Sequence, residues 1–163
     1  MTSKTPANKK LEGGCGCGAV RYRLTDDPYI VHNCFCGLCQ RQTGTGSAVN
    51  AFIETEKLEL LSGELREVEF TTGTGGTQTV VRCAACGTPL WSHYPRLERK
   101  VAAVRVGTLD DPSEAPPDVA IFVADKPAWA PVPEGIPTFD QFYNPPEFWS
   151  PEVMARVRAV LES

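Results

Sequence analysis

A mainly β fold of short strands is what the sequence predicts, and three observations predict it. The 163 residues include 14 glycines and 14 prolines, enough turn formers to interrupt the chain every few residues. Between these breaks lie brief apolar or alternating runs of strand length, and helical spacing is confined to the C-terminus. Seven cysteines fall into three tight groups, 15/17, 34/36/39 and 83/86, and such clusters in a small chain point to metal ligands that hold turns together.

Bulk composition narrows the class. With 42% hydrophobic and 22% charged residues, the chain is expected to form one soluble domain with a core of its own. A net charge of −4 with scattered Lys and Arg argues against a nucleic-acid or anionic-membrane partner. No apolar run has the length of a membrane span. Residues 1–10 are polar and read as a mobile tail without the apolar stretch of a signal peptide. A reducing, cytoplasmic setting is therefore expected, where disulfides are disfavoured. The expected organisation is this tail, a zinc-binding β domain over 11–143, and a C-terminal extension over 144–163.

Taken in order, Leu11 to Gly18 leads into Ala19-Val20-Arg21-Tyr22-Arg23-Leu24, which alternates as a strand. Glycines around Cys15 and Cys17 let the backbone curl about a metal. After the Asp26-Asp27-Pro28 turn, a strand over Tyr29 to Asn33 delivers the chain to Cys34-Phe35-Cys36-Gly37-Leu38-Cys39. A helical turn over Leu38 to Thr43 stops at Gly44. Strands follow at Ala48 to Ile53, Leu58 to Leu61 and, alternating cleanly, Leu65 to Phe70. The loop from Thr71 to Thr77 is glycine-rich but lacks the Gly-Lys-Ser/Thr ending of a phosphate loop, so it reads as a hairpin connection. The strand Thr79 to Arg82 runs into Cys83-Ala84-Ala85-Cys86-Gly87, a zinc-knuckle spacing. Pro89 to Ser92, a buried strand over Val101 to Gly107, and a last strand over Val119 to Val123 complete the β pattern. Residues 127–148, rich in Pro and aromatics, are expected to lie extended over the core. Ser150-Pro151-Glu152 is a helix start, and Val153, Val157, Val160 and Leu161 form the apolar stripe behind it.

The cysteine spacings divide into two pairs and a triplet. Two pairs make a closed four-sulfur site, so Cys15, Cys17, Cys83 and Cys86 are assigned to a structural zinc that joins positions 66 residues apart. Cys34, Cys36 and Cys39 are then left to a second zinc with only three protein ligands, the pattern of a catalytic site whose fourth position is open. Mixing the triplet with one pair is the rival partition. An open zinc can lower the pKa of a bound group or polarise a carbonyl, and three thiolates weaken its acidity enough to favour activating a thiol over generating hydroxide. His32 lies two residues before Cys34 on the same strand face and is open to three roles: fourth ligand, hydrogen-bonding or basic group beside the metal, or packed histidine. His93 is expected to be structural or at the surface. No Ser-His-Asp pattern supports hydrolase chemistry.

The ordered set of Gly13-Gly14-Cys15-Gly16-Cys17-Gly18-Ala19-Val20-Arg21-Tyr22, the triplet with Arg41-Gln42-Thr43-Gly44, Cys83-Ala84-Ala85-Cys86-Gly87-Thr88-Pro89-Leu90, Gly107-Thr108-Leu109-Asp110-Asp111-Pro112 and Trp129 resembles the glutathione-dependent formaldehyde-activating enzyme family, which includes centromere protein V. The resemblance spans about residues 11–140. It implies a tent-like arrangement of antiparallel sheets around two zincs, the four-cysteine site structural and the three-cysteine site catalytic. The implied reaction is carbon–sulfur lyase chemistry, joining glutathione and formaldehyde as S-hydroxymethylglutathione, with a small thiol and an aldehyde as partners. Family members commonly carry His between the first two triplet cysteines and Arg directly after the third; here those positions are Phe35 and Gln40. The competing expectations are a non-catalytic zinc module that carries a thiol or docks a protein, and a chain in which both zincs are closed.

Overall fold

A computed structural model describes residues 10–163; the expected tail over 1–10 lies outside the described residues except for Lys10. Ten strands form two sheets. Strands β1 (Leu11–Gly14), β2 (Arg21–Leu24) and β5 (Leu58–Ser62) make a small antiparallel sheet in the order β1-β2-β5. The large sheet runs β10-β3-β4-β9-β8-β7-β6, from β3 (Ile30–Cys34), β4 (Ala48–Glu54), β6 (Leu65–Thr71), β7 (Thr77–Cys83), β8 (Pro89–His93), β9 (Val101–Arg105) and β10 (Val119–Ile121). Helix α1 (Gly37–Thr43) follows β3, and α2 (Pro145–Phe148) and α3 (Pro151–Glu162) close the chain.

The mainly β expectation holds, with one departure from the antiparallel rule. Strand β10 returns to the edge of the large sheet and runs parallel to β3, pairing Val119 with His32 and Ile121 with Cys34. It is shorter than its apolar run suggested. The chain turns at Phe122, whose φ of 55° is left-handed, because the following turn is taken up in holding residues 137–141 against this edge. Backbone bonds such as Ala120 N to Pro137 O (3.0 Å) and Phe139 N to Ala120 O (2.9 Å) leave the edge covered. Strand β9 likewise stops at Arg105, and Val106–Thr108 form a single 3₁₀ turn pinned by the Thr108 hydroxyl on Arg105 O at 2.7 Å.

Alternation divides the core in two. On one face of the large sheet Val31, Ala51, Ile53, Val81, Trp91 and Val104 pack on Tyr22 and Leu24 of the small sheet. On the other, Ile30, Cys34, Phe52, Val101 and Ala103 meet Cys39 of α1 together with Tyr143 and Val157 from the C-terminal extension. The large sheet is thus the middle of three layers. Helix α3 begins as its sequence requires, with Ser150 Oγ accepting from Val153 N at 3.3 Å, and it buries Val157. Val153 and Val160 line the same contact, whereas Leu161 faces solvent. Arg156 reaches from α3 to the buried Glu54 of β4 through two hydrogen bonds, one of them 2.6 Å. No helix among the described residues is long and apolar enough to cross a membrane.

Candidate metal centres

Folding brings the cysteines together as four and three. The sulfurs of Cys15, Cys17, Cys83 and Cys86 lie within 4.8 Å of one another, as do those of Cys34, Cys36 and Cys39. Four thiolates around zinc at about 2.3 Å stand roughly 3.8 Å apart in a tetrahedron. The Cys15–Cys17 and Cys17–Cys83 separations of 3.5 and 3.9 Å match that spacing, so the donor set fits such an ion. All seven are free thiols.

The four-cysteine cluster ties the loop between β1 and β2 to the end of β7. Amides point at its sulfurs: Val20 N reaches Cys15 Sγ at 3.2 Å and Cys86 N reaches Cys83 Sγ at 3.4 Å. Gly87, with φ +77°, makes the turn after Cys86 that only glycine enters without strain. The Cys86 thiol is drawn down to about 5 by the Thr88 hydroxyl and nearby amides. Cys17 and Cys86 are exposed while Cys83 is fully buried.

The three-cysteine cluster is local and mostly buried, with Cys36 partly exposed. Cys34 ends β3, and Cys39 lies in the first turn of α1; both are buried. Cys36 is the N-cap residue, its sulfur accepting from Cys39 N at 3.4 Å, and Gly44 ends the helix with φ +70°. Hydrogen bonds from Cys34 and Cys39 lower the Cys36 thiol, while the same neighbours and burial push Cys34 up. No fourth His, Cys, Asp or Glu among the described residues joins this group.

The two departures from the family pattern have structural roles. Phe35 is 1% exposed and packs with Ala120 and Ala130. Gln40 Nε2 donates to Phe35 O at 2.7 Å and to Asp125 O at 3.0 Å, clamping the cysteine turn to the turn after β10. Of the roles open to His32, the packed one is realised. Trp149 Nε1 donates to Tyr143 Oη at 2.6 Å, and that hydroxyl lies 2.6 Å from His32 Nε2. Burial lowers the His32 pKa to about 3, so its imidazole is neutral. His93 is buried, with Nδ1 on Val101 O at 2.9 Å.

Sequence reasoning passed over Arg105. It stands directly across from Asn50, which stands across from His32, and this row shares the sheet face of Cys34. The residue is 5% exposed, and its guanidinium donates to Asn50 Oδ1, Gln42 Oε1 and, at 3.3 Å, Ser92 Oγ, while Nε has no partner. The available signal was an arginine inside an otherwise apolar strand. A cleft of about 310 Å³ between residues 45–47 and the exposed Trp129 is lined also by Asn33 and Phe35, the two chain neighbours of Cys34, and by no cysteine itself.

Comparison with known proteins follows the same residues. The profile of the glutathione-dependent formaldehyde-activating enzyme family matches residues 10–125. A protein of Halomonas elongata, provisionally named a glutathione-dependent formaldehyde-activating enzyme, is 30% identical over 123 residues, covering 73% of this chain and 78% of its own. A crystal structure of a Rhodobacter sphaeroides protein aligns with a TM-score of 0.46 at 23% identity, over 63% of this chain and 93% of the other.

Proposed function

The chain belongs to the glutathione-dependent formaldehyde-activating enzyme family, and from that membership we propose that it is a zinc-dependent enzyme of the carbon–sulfur lyase type. It joins a glutathione-like thiol to formaldehyde or a related small aldehyde, and cleaves the adduct in reverse. The observation that carries this reading is the convergence of three sulfurs, Cys34, Cys36 and Cys39, with no fourth ligand among the described residues.

In the forward direction a carbon–sulfur bond forms, the carbonyl π bond opens, and the thiol proton ends on the former aldehyde oxygen. Cys34, Cys36 and Cys39 would hold the reactive zinc, and Cys15, Cys17, Cys83 and Cys86 the structural one. When bound, zinc supplies Lewis acidity that favours the thiolate form of a thiol and polarises a carbonyl. The chain's part is mostly arrangement. The α1 N-terminus and the Gln40 clamp fix the cysteine turn, and the aromatic residues around His32 and Tyr143 keep bulk water off its inner side. Neutral His32, engaged with Tyr143, is a packing group and leaves proton exchange to the thiol, the aldehyde oxygen and solvent. Holding sulfur and carbonyl carbon at contact distance is the main contribution such a site makes to a reaction that proceeds slowly unaided. A reducing cytoplasm suits seven thiols that must remain ligands.

Exchange between glutathione, formaldehyde and their adduct is measurable by NMR. The metal-loaded protein is expected to accelerate exchange well above buffer, and Cys36→Ser to return it to the buffer rate. Equal rates for protein, variant and buffer sink the proposal, and calorimetric binding of glutathione without acceleration would establish a thiol carrier in its place.

A further inference from the structure

Buried charges on the outer face of the large sheet receive unequal treatment. Glu54, 5% exposed, is held by Arg156 through paired hydrogen bonds. Arg105 is equally buried, yet its partners Asn50, Gln42 and Ser92 are all neutral, and no carboxylate among the described residues lies within ion-pair distance. Taking a lone guanidinium out of water costs several kcal/mol, and neutral acceptors offset only part of that. A buried cation without an acid therefore implies a negative charge that the side-chain carboxylates do not provide.

The three-cysteine cluster is the neighbouring source. Gln42, which accepts from Arg105, sits three residues beyond Cys39 on α1, so its side chain lies on the neighbouring helical position. The sheet register places the groups on one side: Arg105 stands in the row of Asn50 and His32, on the face that carries Cys34, and Cys34 and Cys39 pack in one cluster there with Tyr94. Three thiolates on one divalent ion carry net −1. Accepting a thiol as a fourth ligand releases its proton to solvent and takes that charge to −2, whereas water in the same position leaves it at −1.

We propose that Arg105 is a positioning residue of the three-cysteine centre, its buried guanidinium supplying the positive charge that allows an anionic fourth ligand, a thiolate, to displace neutral water. This rests on the reading that Cys34, Cys36 and Cys39 hold a divalent ion. Within a weakly polar surrounding Coulomb attraction is screened far less than in water, so one positive charge on this side of the sheet favours the ligand that adds a negative charge.

The test is glutathione binding to cobalt-loaded protein, read from the sulfur-to-cobalt absorption and not from turnover. Asn50→Asp keeps the shape and the hydrogen bond to Arg105 but cancels its charge, and Arg105→Lys keeps the charge while losing the fork. With charge as the operative feature, Asn50→Asp weakens glutathione binding by about tenfold or more, the usual scale for groups supporting a metal site. Arg105→Lys then stays within a few-fold of wild type, and Arg105→Gln falls with Asn50→Asp. Wild-type affinity in Asn50→Asp, or an equal loss in Arg105→Lys and Arg105→Gln, overturns the proposal. Wild-type protein that takes up only one cobalt overturns instead the reading of the triplet as a metal centre.

Discussion

Four sulfurs gathered from positions 66 residues apart sit at the surface, with Cys17 and Cys86 exposed above the buried Cys83, whereas of three sulfurs spaced over six residues Cys34 and Cys39 are buried and Cys36 is only partly exposed. A four-thiolate ion would be complete in itself. It would need the chain only to bring the ligands together, with its excess charge solvated at the surface. The local triplet closes almost no loop and would leave an ion one ligand short, so on our proposal the surrounding protein decides what else approaches. Packing by α1 and the C-terminal extension, with one buried cation on the same sheet face, would serve that purpose. On this reading one cluster shapes the chain and the other is shaped by it.

The largest expected effect tests that division through stability. Replacing Cys15 and Cys17 together by Ser opens a crosslink spanning 66 residues, and loop-closure entropy assigns such a crosslink about 4 kcal/mol. Cys36→Ser opens loops of a few residues and is expected to lose under about 2 kcal/mol, while abolishing exchange activity. Urea unfolding of the metal-loaded proteins measures both. Equal losses would erase the distinction.

Next in size is the clamp that holds the cover. Arg156→Met leaves Glu54 buried without its cation, a loss of about 3 kcal/mol in comparable pairs. The variant is expected to loosen α3 over the outer face and to speed labelling of Cys34 and Cys39 by a thiol reagent in metal-free protein. Labelling of Cys17 and Cys86, already exposed, should not change. Uniform acceleration at all four would mean general unfolding and not a lifted cover.

How much of this was legible follows from the range of the interactions. Cysteine spacing is local chemistry written directly into the chain, so the four-and-three division could be read at once. Strand periodicity likewise exposed the β architecture, because one face of each strand must be apolar. What stayed hidden depends on pairing between distant segments. Nothing near Val119 signals that its strand runs parallel to β3, and nothing near Glu54 signals Arg156, 102 positions later. Arg105 looked like one polar residue in an apolar strand, and only the register with Asn50 and His32 places it on the face of Cys34. Gln40 read as a lost cation until its two backbone acceptors were seen.

The smallest effect concerns the contact between cover and sheet. Tyr143 Oη joins Trp149 Nε1 and His32 Nε2, each at 2.6 Å, and its ring stacks on Phe142 at 4.5 Å between centroids. Tyr143→Phe retains the ring packing and removes the hydroxyl, leaving an indole N–H and an imidazole nitrogen without that partner in an enclosed place. The expected loss is about 1–2 kcal/mol in urea unfolding, the cost of a buried polar group left unsatisfied. Because His32 is packed here and not a ligand, the variant should retain both metal equivalents and the exposed labelling of Cys17 and Cys86. Loss of one metal equivalent would mean that the row leading from Tyr143 through His32 to Cys34 supports the ion directly, and the boundary drawn between cover and centre would have to move inward by one residue.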